Sequence, residues 1–178
     1  WPDGSMRWAL LDLQVDIAAK ERLELTVDPE AGADDPETSL RAEVRDDAID
    51  VLTGDLALRI GRRGNRLLRS ASRGRREYLT EGGTDLSATD GEGTVYDGSV
   101  EDAEVEEQNP LRLVVHCHGR FVAPDRPFLS WIARLTCYAR QAFVRVDFTF
   151  VHDLNQDEAY LRRLVLSLPL ALAPKARR

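Results

Sequence analysis

The chain has 178 residues, of which 43% are hydrophobic, and its formal net charge is −7 at pH 7. That length suffices for one domain with a substantial core, and the hydrophobic content excludes a disordered tail. The acidic balance argues against a nucleic-acid partner, and no apolar run approaches the roughly 20 residues of a membrane span. The sequence contains no P-loop, dinucleotide fingerprint, nucleophile elbow or zinc motif, so we expect no cofactor and no metal.

The first element follows a tight turn at Pro2–Ser5, where Pro, Asp and Gly are typical turn residues. We predict a strand over Met6–Ile17, a turn at Ala18–Lys20 and a half-buried strand over Arg22–Val27, whose odd-numbered residues are apolar. A turn such as Pro2–Ser5 normally joins two strands, so we expect the chain to begin at the second half of a hairpin.

A composition change follows these strands. The segment Asp28–Ser39 is acidic, contains two prolines and a glycine, and lacks large apolar residues. This composition is typical of a linker or long loop. We therefore predict a small first unit over residues 1–28, a linker over 29–39 and a second domain over 40–178.

The second domain is predicted to consist of strands separated by glycine-bearing turns, with no convincing helical period. The predicted strands are Arg41–Arg45, Ile49–Thr53, Leu56–Ile60, Arg66–Ser70, Tyr78–Thr80, Thr94–Tyr96, Leu111–Val122, Phe128–Ala139, Phe143–His152 and Tyr160–Leu168. Many strands with short turns favour an all-β fold, and we predict an antiparallel β-sandwich.

The three strands Leu111–Val122, Phe128–Ala139 and Phe143–His152 alternate most clearly, so we expect them to share one buried apolar face. Cys117 and Cys137 lie on that face and are too few for a disulfide scaffold. We expect two buried free thiols. A single bridge is the alternative, although a simple hairpin register does not set the two cysteines opposite each other.

The opposite face of the same strands is polar. Its residues are Arg112, His116, His118, Arg120, Ser130, Arg134, Thr136, Tyr138, Arg145, Asp147 and Thr149. Arginines beside a tyrosine can bind an acidic sugar, so Arg134, Tyr138, Arg145 and Asp147 are the candidate substrate-binding residues. The alternative is a set of cross-strand ion pairs between these arginines and Asp147, which we favour from the residues alone.

Two further constellations have both a functional and a structural interpretation. His116 and His118 lie on one strand face, as metal ligands can, but a site needs a third ligand, and two surface histidines are the favoured interpretation. The stretch Arg59–Arg76 holds eight arginines and no acid, which suits a polyanion. The favoured alternative is a solvated face balanced by the acidic segment Asp97–Glu107.

Several stretches resemble the exo-rhamnogalacturonan lyase (PcRGLX/YetA-like) family. WPDGSMRWALLDLQVDI resembles the end of that family's N-terminal barrel, and IDVLTGDLALRI resembles the opening of its central β-sandwich. VEEQNPLRLVVHCHGRF, followed by ARLTCYARQAFVRVDFTFVHD, resembles its most recognisable stretch. Asn109 stands where the family pattern has glycine, and we expect asparagine to tolerate the left-handed backbone of such a turn. His116 and His118 are not part of that pattern.

The resemblance implies an order of domains: a small RIFT-type barrel, a central β-sandwich and a large α/α toroid. Residues 1–28 would then be the last part of an incomplete barrel, which would explain why the chain begins inside a hairpin. The parent protein would be a polysaccharide lyase-like enzyme acting on an acidic polysaccharide. Its compartment stays open, with a secreted or periplasmic location as one option. We expect no catalytic residue in this chain. Its expected role is to support a toroid domain that is missing from this sequence. We expect neither nucleic acid nor membrane as a partner.

Two alternatives to this accessory role stay open. One is a stand-alone carbohydrate-binding module, which would need a grooved face with exposed aromatic side chains. The other is a purely structural module whose exposed surface is an interface between domains, which a large exposed apolar patch would favour.

Overall fold

The computed structural model describes residues 11–28, 37–80, 82–124, 126–152, 154 and 160–171. Within these ranges the chain forms eleven strands and no helix, which confirms the all-β prediction. The strands are β1 (Arg41–Val44), β2 (Ala48–Leu52), β3 (Ala57–Gly61), β4 (Leu68–Arg73), β5 (Arg76–Glu77), β6 (Asp85–Asp90), β7 (Val95–Gln108), β8 (Arg112–Ala123), β9 (Arg126–Tyr138), β10 (Val144–Val151) and β11 (Leu161–Ser167).

The strands form two antiparallel sheets that pack as a sandwich. The five-stranded sheet has the order β1-β2-β3-β4-β5, a run of successive hairpins, and the six-stranded sheet has the order β10-β9-β8-β7-β6-β11. Single bridges from Gly64 to Val100 and from Leu79 to Leu170 join the two sheets at their ends. The strand β11 is the exception to sequential pairing, since it returns to pair with β6.

The core lies between the sheets and is built from the alternating residues of the long strands. Trp131, Phe121, Leu113 and Leu135 are among the largest fully buried side chains. The buried apolar face predicted for β8 and β9 is confirmed. On β10 the same face continues in register, with Val144 opposite Cys137, but it is less covered because β10 is an edge strand.

The sequence prediction missed β6 and most of β7. The stretch Asp97–Glu107, predicted as an acidic segment, lies within the long strand β7. The register of β7 against β8 shifts at two bulges, between Val100 and Asp102 and between Val105 and Glu107. Each bulge reverses the inside–outside alternation, so a simple period of two fails. In β6 the inward residues Leu86 and Ala88 are too few for a strong signal.

The strand predictions for the N-terminal unit are wrong in the described part. Residues 11–17 and 22–27 contain no strand, and their apolar side chains are exposed rather than half-buried, from 47% for Leu23 to 63% for Val27. No described strand forms a backbone ladder with these segments, and a strand needs a ladder partner. The predicted turn is confirmed, because Glu21 N–H donates to the Ala18 carbonyl at 3.1 Å. The turn at Pro2–Ser5 and residues 29–36 lie outside the described residues.

Gly119 lies on β8, between the backbone of β7 and the Trp131 ring of β9. A Cβ at this position would lie 1.9 Å from the Ser99 carbonyl oxygen and 2.6 Å from Cζ2 of Trp131. The Trp131 ring is fully buried and stacks on Phe148 with ring centroids 5.8 Å apart. Neither a strand carbonyl nor a packed indole can yield easily, so only glycine fits at this position.

We therefore expect Gly119→Ala to lower the free energy of unfolding by about 2–3 kcal/mol, the usual cost of overpacking a core. Urea denaturation followed by tryptophan fluorescence measures it. The matched control is Gly74→Ala, since a Cβ at Gly74 would meet nothing within 4 Å, although its φ of +60° costs about 1 kcal/mol. Equal losses for the two variants would contradict this account of Gly119.

Candidate functional site

The candidate site is the outer face of β7–β10, where the predicted residues come together. Arg134 and Tyr138 lie on β9, and Arg145 and Asp147 lie on β10. Asp147 is directly opposite Arg134 in the ladder, so the residues share one face of the sheet. Arg134, Arg145 and Asp147 are exposed, whereas Tyr138 is partly buried.

Arg134 makes a two-pronged ion pair with Glu106. Its Nε and one terminal nitrogen each lie 2.7 Å from a different carboxylate oxygen. Glu106 is the extra residue of the second bulge on β7, so Arg134 reaches across the intervening strand β8 to meet it. The hydrogen bond from Arg134 lowers the pKa of Glu106, and the same hydrogen bond raises the pKa of Arg134.

Arg145 pairs within its own strand. Its terminal nitrogen lies 2.8 Å from Asp147 Oδ1, and this hydrogen bond raises the Arg145 pKa. The Tyr138 ring lies beside Phe143, with centroids 5.6 Å apart. The predicted alternative of ion pairs is therefore present, although Glu106, and not Asp147, is the hydrogen-bonded partner of Arg134. An acidic ligand at this face would have to replace one of these partners.

The two histidines do not form a metal site with the described residues. The rings of His116 and His118 lie 5.9 Å apart, and His116 Nδ1 lies 3.7 Å from Glu104. His152 contacts Phe128 with ring centroids 6.5 Å apart. Across the described part of the chain, no group of three or more His, Cys, Asp or Glu side chains is placed to hold a metal ion.

The arginine-rich stretch is largely neutralised, in one pair by the predicted acidic segment and otherwise by acids outside it. Arg62 pairs with Asp102 of the acidic segment at 3.2 Å. The other ion pairs involve acids of the five-stranded sheet, its turns and the start of β6. They are Arg59 with Asp47 and Asp50, Arg69 with Asp47, Arg73 with Asp55, and Arg66 with Asp85. A solvated, balanced face is therefore the better description of this stretch.

Sequence reasoning missed a second polar cluster, which joins residues 11–28 to the sandwich. Arg112 contacts Glu107 at 2.6 Å and Asp12 at 3.3 Å, and Asn109 Nδ2 donates to Asp12 at 3.0 Å. Asn109 Oδ1 accepts the backbone N–H groups of Leu111 and Arg112. Asn109 is not among the described residues with positive φ, so the expected left-handed backbone is wrong: its side chain closes the turn instead.

Both cysteines are buried free thiols, as predicted. Cys117 is opposite Ala133 and Cys137 is opposite Leu113, so the two lie four residues apart along the ladder. Burial raises the pKa of each thiol to about 12. Neither cysteine is therefore a nucleophile at neutral pH.

The fold and the polar face together define an antiparallel β-sandwich module with a charged sheet surface. Residues 40–177 match the family model of the PcRGLX-like protein central beta sandwich domain, and the chain belongs to this family. The predicted family resemblance is thus confirmed for the sandwich. A search of curated proteins gave no match, and the described residues contain no helix long and apolar enough to span a membrane.

The pair between Arg134 and Glu106 makes a pH-dependent contribution to stability. Because the folded-state pKa of Glu106 is below its ordinary value, this contribution is present above the ordinary pKa and is lost as pH falls through the folded one. We expect Arg134→Gln to raise the Glu106 pKa in an NMR titration, and to reduce stability at pH 7 but not at the lowest pH. The control Arg120→Gln removes a pair with Glu101 and should leave Glu106 unchanged. An unchanged Glu106 pKa in Arg134→Gln would contradict this assignment.

The thiols give a separate prediction. In the folded chain at pH 8 we expect Cys117 and Cys137 to resist iodoacetamide, because burial both shields them and disfavours the thiolate. Both should react in 8 M urea, and mass spectrometry counts the adducts. Rapid labelling of the folded chain at either cysteine would contradict the buried core.

Proposed function

We propose that this chain is an accessory β-domain of a carbohydrate-active, polysaccharide lyase-like protein that acts on rhamnogalacturonan-type chains. It supports a catalytic α/α-toroid domain and lines one wall of the substrate cleft. Family membership supports this role, since the family description calls the sandwich a central domain. We infer the class of polysaccharide from the sequence resemblance described above.

The observation that carries the substrate role is the cluster of two arginines beside a tyrosine on one sheet face. An acidic sugar offers a planar carboxylate, which a guanidinium binds with two parallel hydrogen bonds. Arg134 already holds the Glu106 carboxylate in this geometry. The Tyr138 ring, partly buried against Phe143, offers an apolar surface and a hydroxyl to the same ligand.

The lyase reaction needs more chemical groups than the two arginines of this face. β-Elimination from a uronate needs a cation on the carboxylate, a base for the C5 proton and an acid for the leaving oxygen. The face described here supplies the first of these through Arg134 and Arg145. We propose that the base and the acid lie on the toroid domain.

A purely structural role between domains is the second candidate, and exposed apolar side chains favour it. Leu11, Leu13, Val15 and Ile17 are each between 48% and 62% exposed, although they belong to one alternating segment. Such a row is typical of a surface that another domain covers. The two roles differ in whether the chain itself binds sugar.

Calorimetric titration with rhamnogalacturonan oligosaccharides tests the substrate role. We expect saturable binding at low salt that weakens at high salt, because the contacts are charge-assisted. Arg134→Gln and Tyr138→Ala should each weaken binding about tenfold, the loss of one good contact. The matched control is Arg73→Gln, an exposed arginine of the five-stranded sheet that is paired with Asp55.

No binding at millimolar ligand, with the chain folded by circular dichroism, would contradict sugar recognition and leave the structural role. Equal weakening by Arg73→Gln would contradict the assigned face. In a parent protein containing the toroid, unchanged turnover of both face variants would exclude Arg134 and Tyr138 from the cleft wall.

A further inference from the structure

The strand β10 is a long edge strand of the six-stranded sheet, as far as the described residues show. It runs for eight residues, VRVDFTFV, pairs with β9 without a register shift, and contains neither proline nor glycine. No described strand pairs with its outer side. Such an edge exposes a row of backbone donors and acceptors that can pair with another strand.

The other described sheet edges are protected in ways that β10 is not. The edge strands β1 and β5 have only four and two residues. The edge strand β11 carries a register shift between Leu161 and Arg163. Arg162, which lies at this shift, and Arg163 are both exposed charged residues. Short length, bulges and neighbouring charges all hinder edge pairing.

The inward face of β10 is apolar and incompletely covered. Val146 is opposite Leu135 and Phe150 is opposite Trp131, so both point to the core side of the sheet. Leu135 and Trp131 are essentially buried, yet Val146 and Phe150 are 39% and 44% exposed. A further strand beside β10 would continue the apolar face and reduce the exposure of Val146 at its centre.

We propose that β10 pairs antiparallel with β10 of a second copy of this chain, with the two-fold axis at Val146. In this register Arg145 is opposite Asp147 of the second copy, and Asp147 is opposite its Arg145. On the inward face Val144 is opposite Phe148 of the second copy. The strand is therefore self-complementary in both charge and hydrophobicity, as a two-fold interface requires.

Neighbouring registers lack this complementarity. A shift by one residue sets the apolar face of one strand against the polar face of the other, because side chains alternate with a period of two. Centring the axis on Arg145 or on Asp147 places like charges directly opposite each other, which is destabilising. Centring it on Val144 or Phe148 leaves both charges opposite uncharged residues.

This interface goes beyond the proposed sugar-binding role and does not depend on it. It would join two six-stranded sheets edge to edge and bring the two polar faces side by side. Arg145 and Asp147 keep their pair within the strand and gain a second one across the axis. The occupant is a second copy, since the argument rests on the self-complementarity of this one strand.

Charge reversal tests the register in the 178-residue chain. Sedimentation equilibrium at micromolar concentrations should give twice the 20.0 kDa mass of the chain. Arg145→Asp and Asp147→Arg should each weaken the dimer roughly tenfold or more, because the two-fold axis makes each change count twice. The double variant R145D/D147R restores opposite charges and should restore the dimer. Both side chains are exposed, and circular dichroism verifies folding.

Cysteine trapping is independent of charge. Val146→Cys should form an intermolecular disulfide on mild oxidation, because each new thiol faces its own copy across the axis. Thr149→Cys is the matched control, since position 149 is also exposed but faces Phe143 of the second copy. A monomer at all concentrations, a dimer unaffected by the single reversals, or equal trapping of the two cysteine variants would overturn the proposal.

Discussion

The structure depends on the pairing of β8 with β9, two long neighbouring strands of the six-stranded sheet. Their register places Val115 opposite Leu135 and Cys117 opposite Ala133, so the two inward rows form one continuous apolar surface. Gly119 allows the strands to approach while the Trp131 ring lies over them. A slip of one residue would turn every one of these side chains to the solvent and set the polar row in the core. Because side chains alternate along each strand, the register that turns the apolar residues to the core also turns the polar residues to the outer face.

That dependence explains which parts of the fold could be predicted from the sequence. On β8, β9 and β10, apolar and polar residues alternate with large side chains, so strand type, inward face and mutual pairing could all be predicted. On β7 two bulges reverse the alternation at Glu101 and Glu106, and the strand looks like a solvated acidic stretch. For residues 11–17, alternation predicted a strand, but the described residues provide no ladder partner. Local pattern predicts which residues can share a face, whereas pairing decides whether a strand forms.

The candidate site likewise has a part that the sequence pattern predicts and a part that depends on tertiary geometry. Arg134, Tyr138, Arg145 and Asp147 could be placed on one face from parity alone. Their partners could not, because Glu106 is brought within reach of Arg134 by the bulge on β7 and Asp12 reaches Arg112 from outside the sandwich. The extra residue of each bulge binds an arginine of another strand: Glu101 binds Arg120 on the neighbouring β8, and Glu106 binds Arg134 on β9, beyond β8. The bulges thus aim two carboxylates across the sheet, an effect that depends on tertiary geometry.

These ion pairs set the terms on which the proposed binding of an acidic sugar would take place. A guanidinium that already holds a carboxylate is pre-oriented for a second one, but the ligand must displace Glu106 or share Arg134 with it. The competition lowers affinity and raises selectivity, since a neutral sugar offers nothing that compensates for a broken ion pair. Arg145 is less constrained, because Asp147 lies on its own strand and the two side chains are 65% and 49% exposed. If two copies pair through β10, Arg145 gains a second carboxylate across the axis, and Arg134 becomes the arginine more accessible to a ligand. The proposed sugar-binding and pairing roles of this face therefore compete at Arg145 and separate at Arg134.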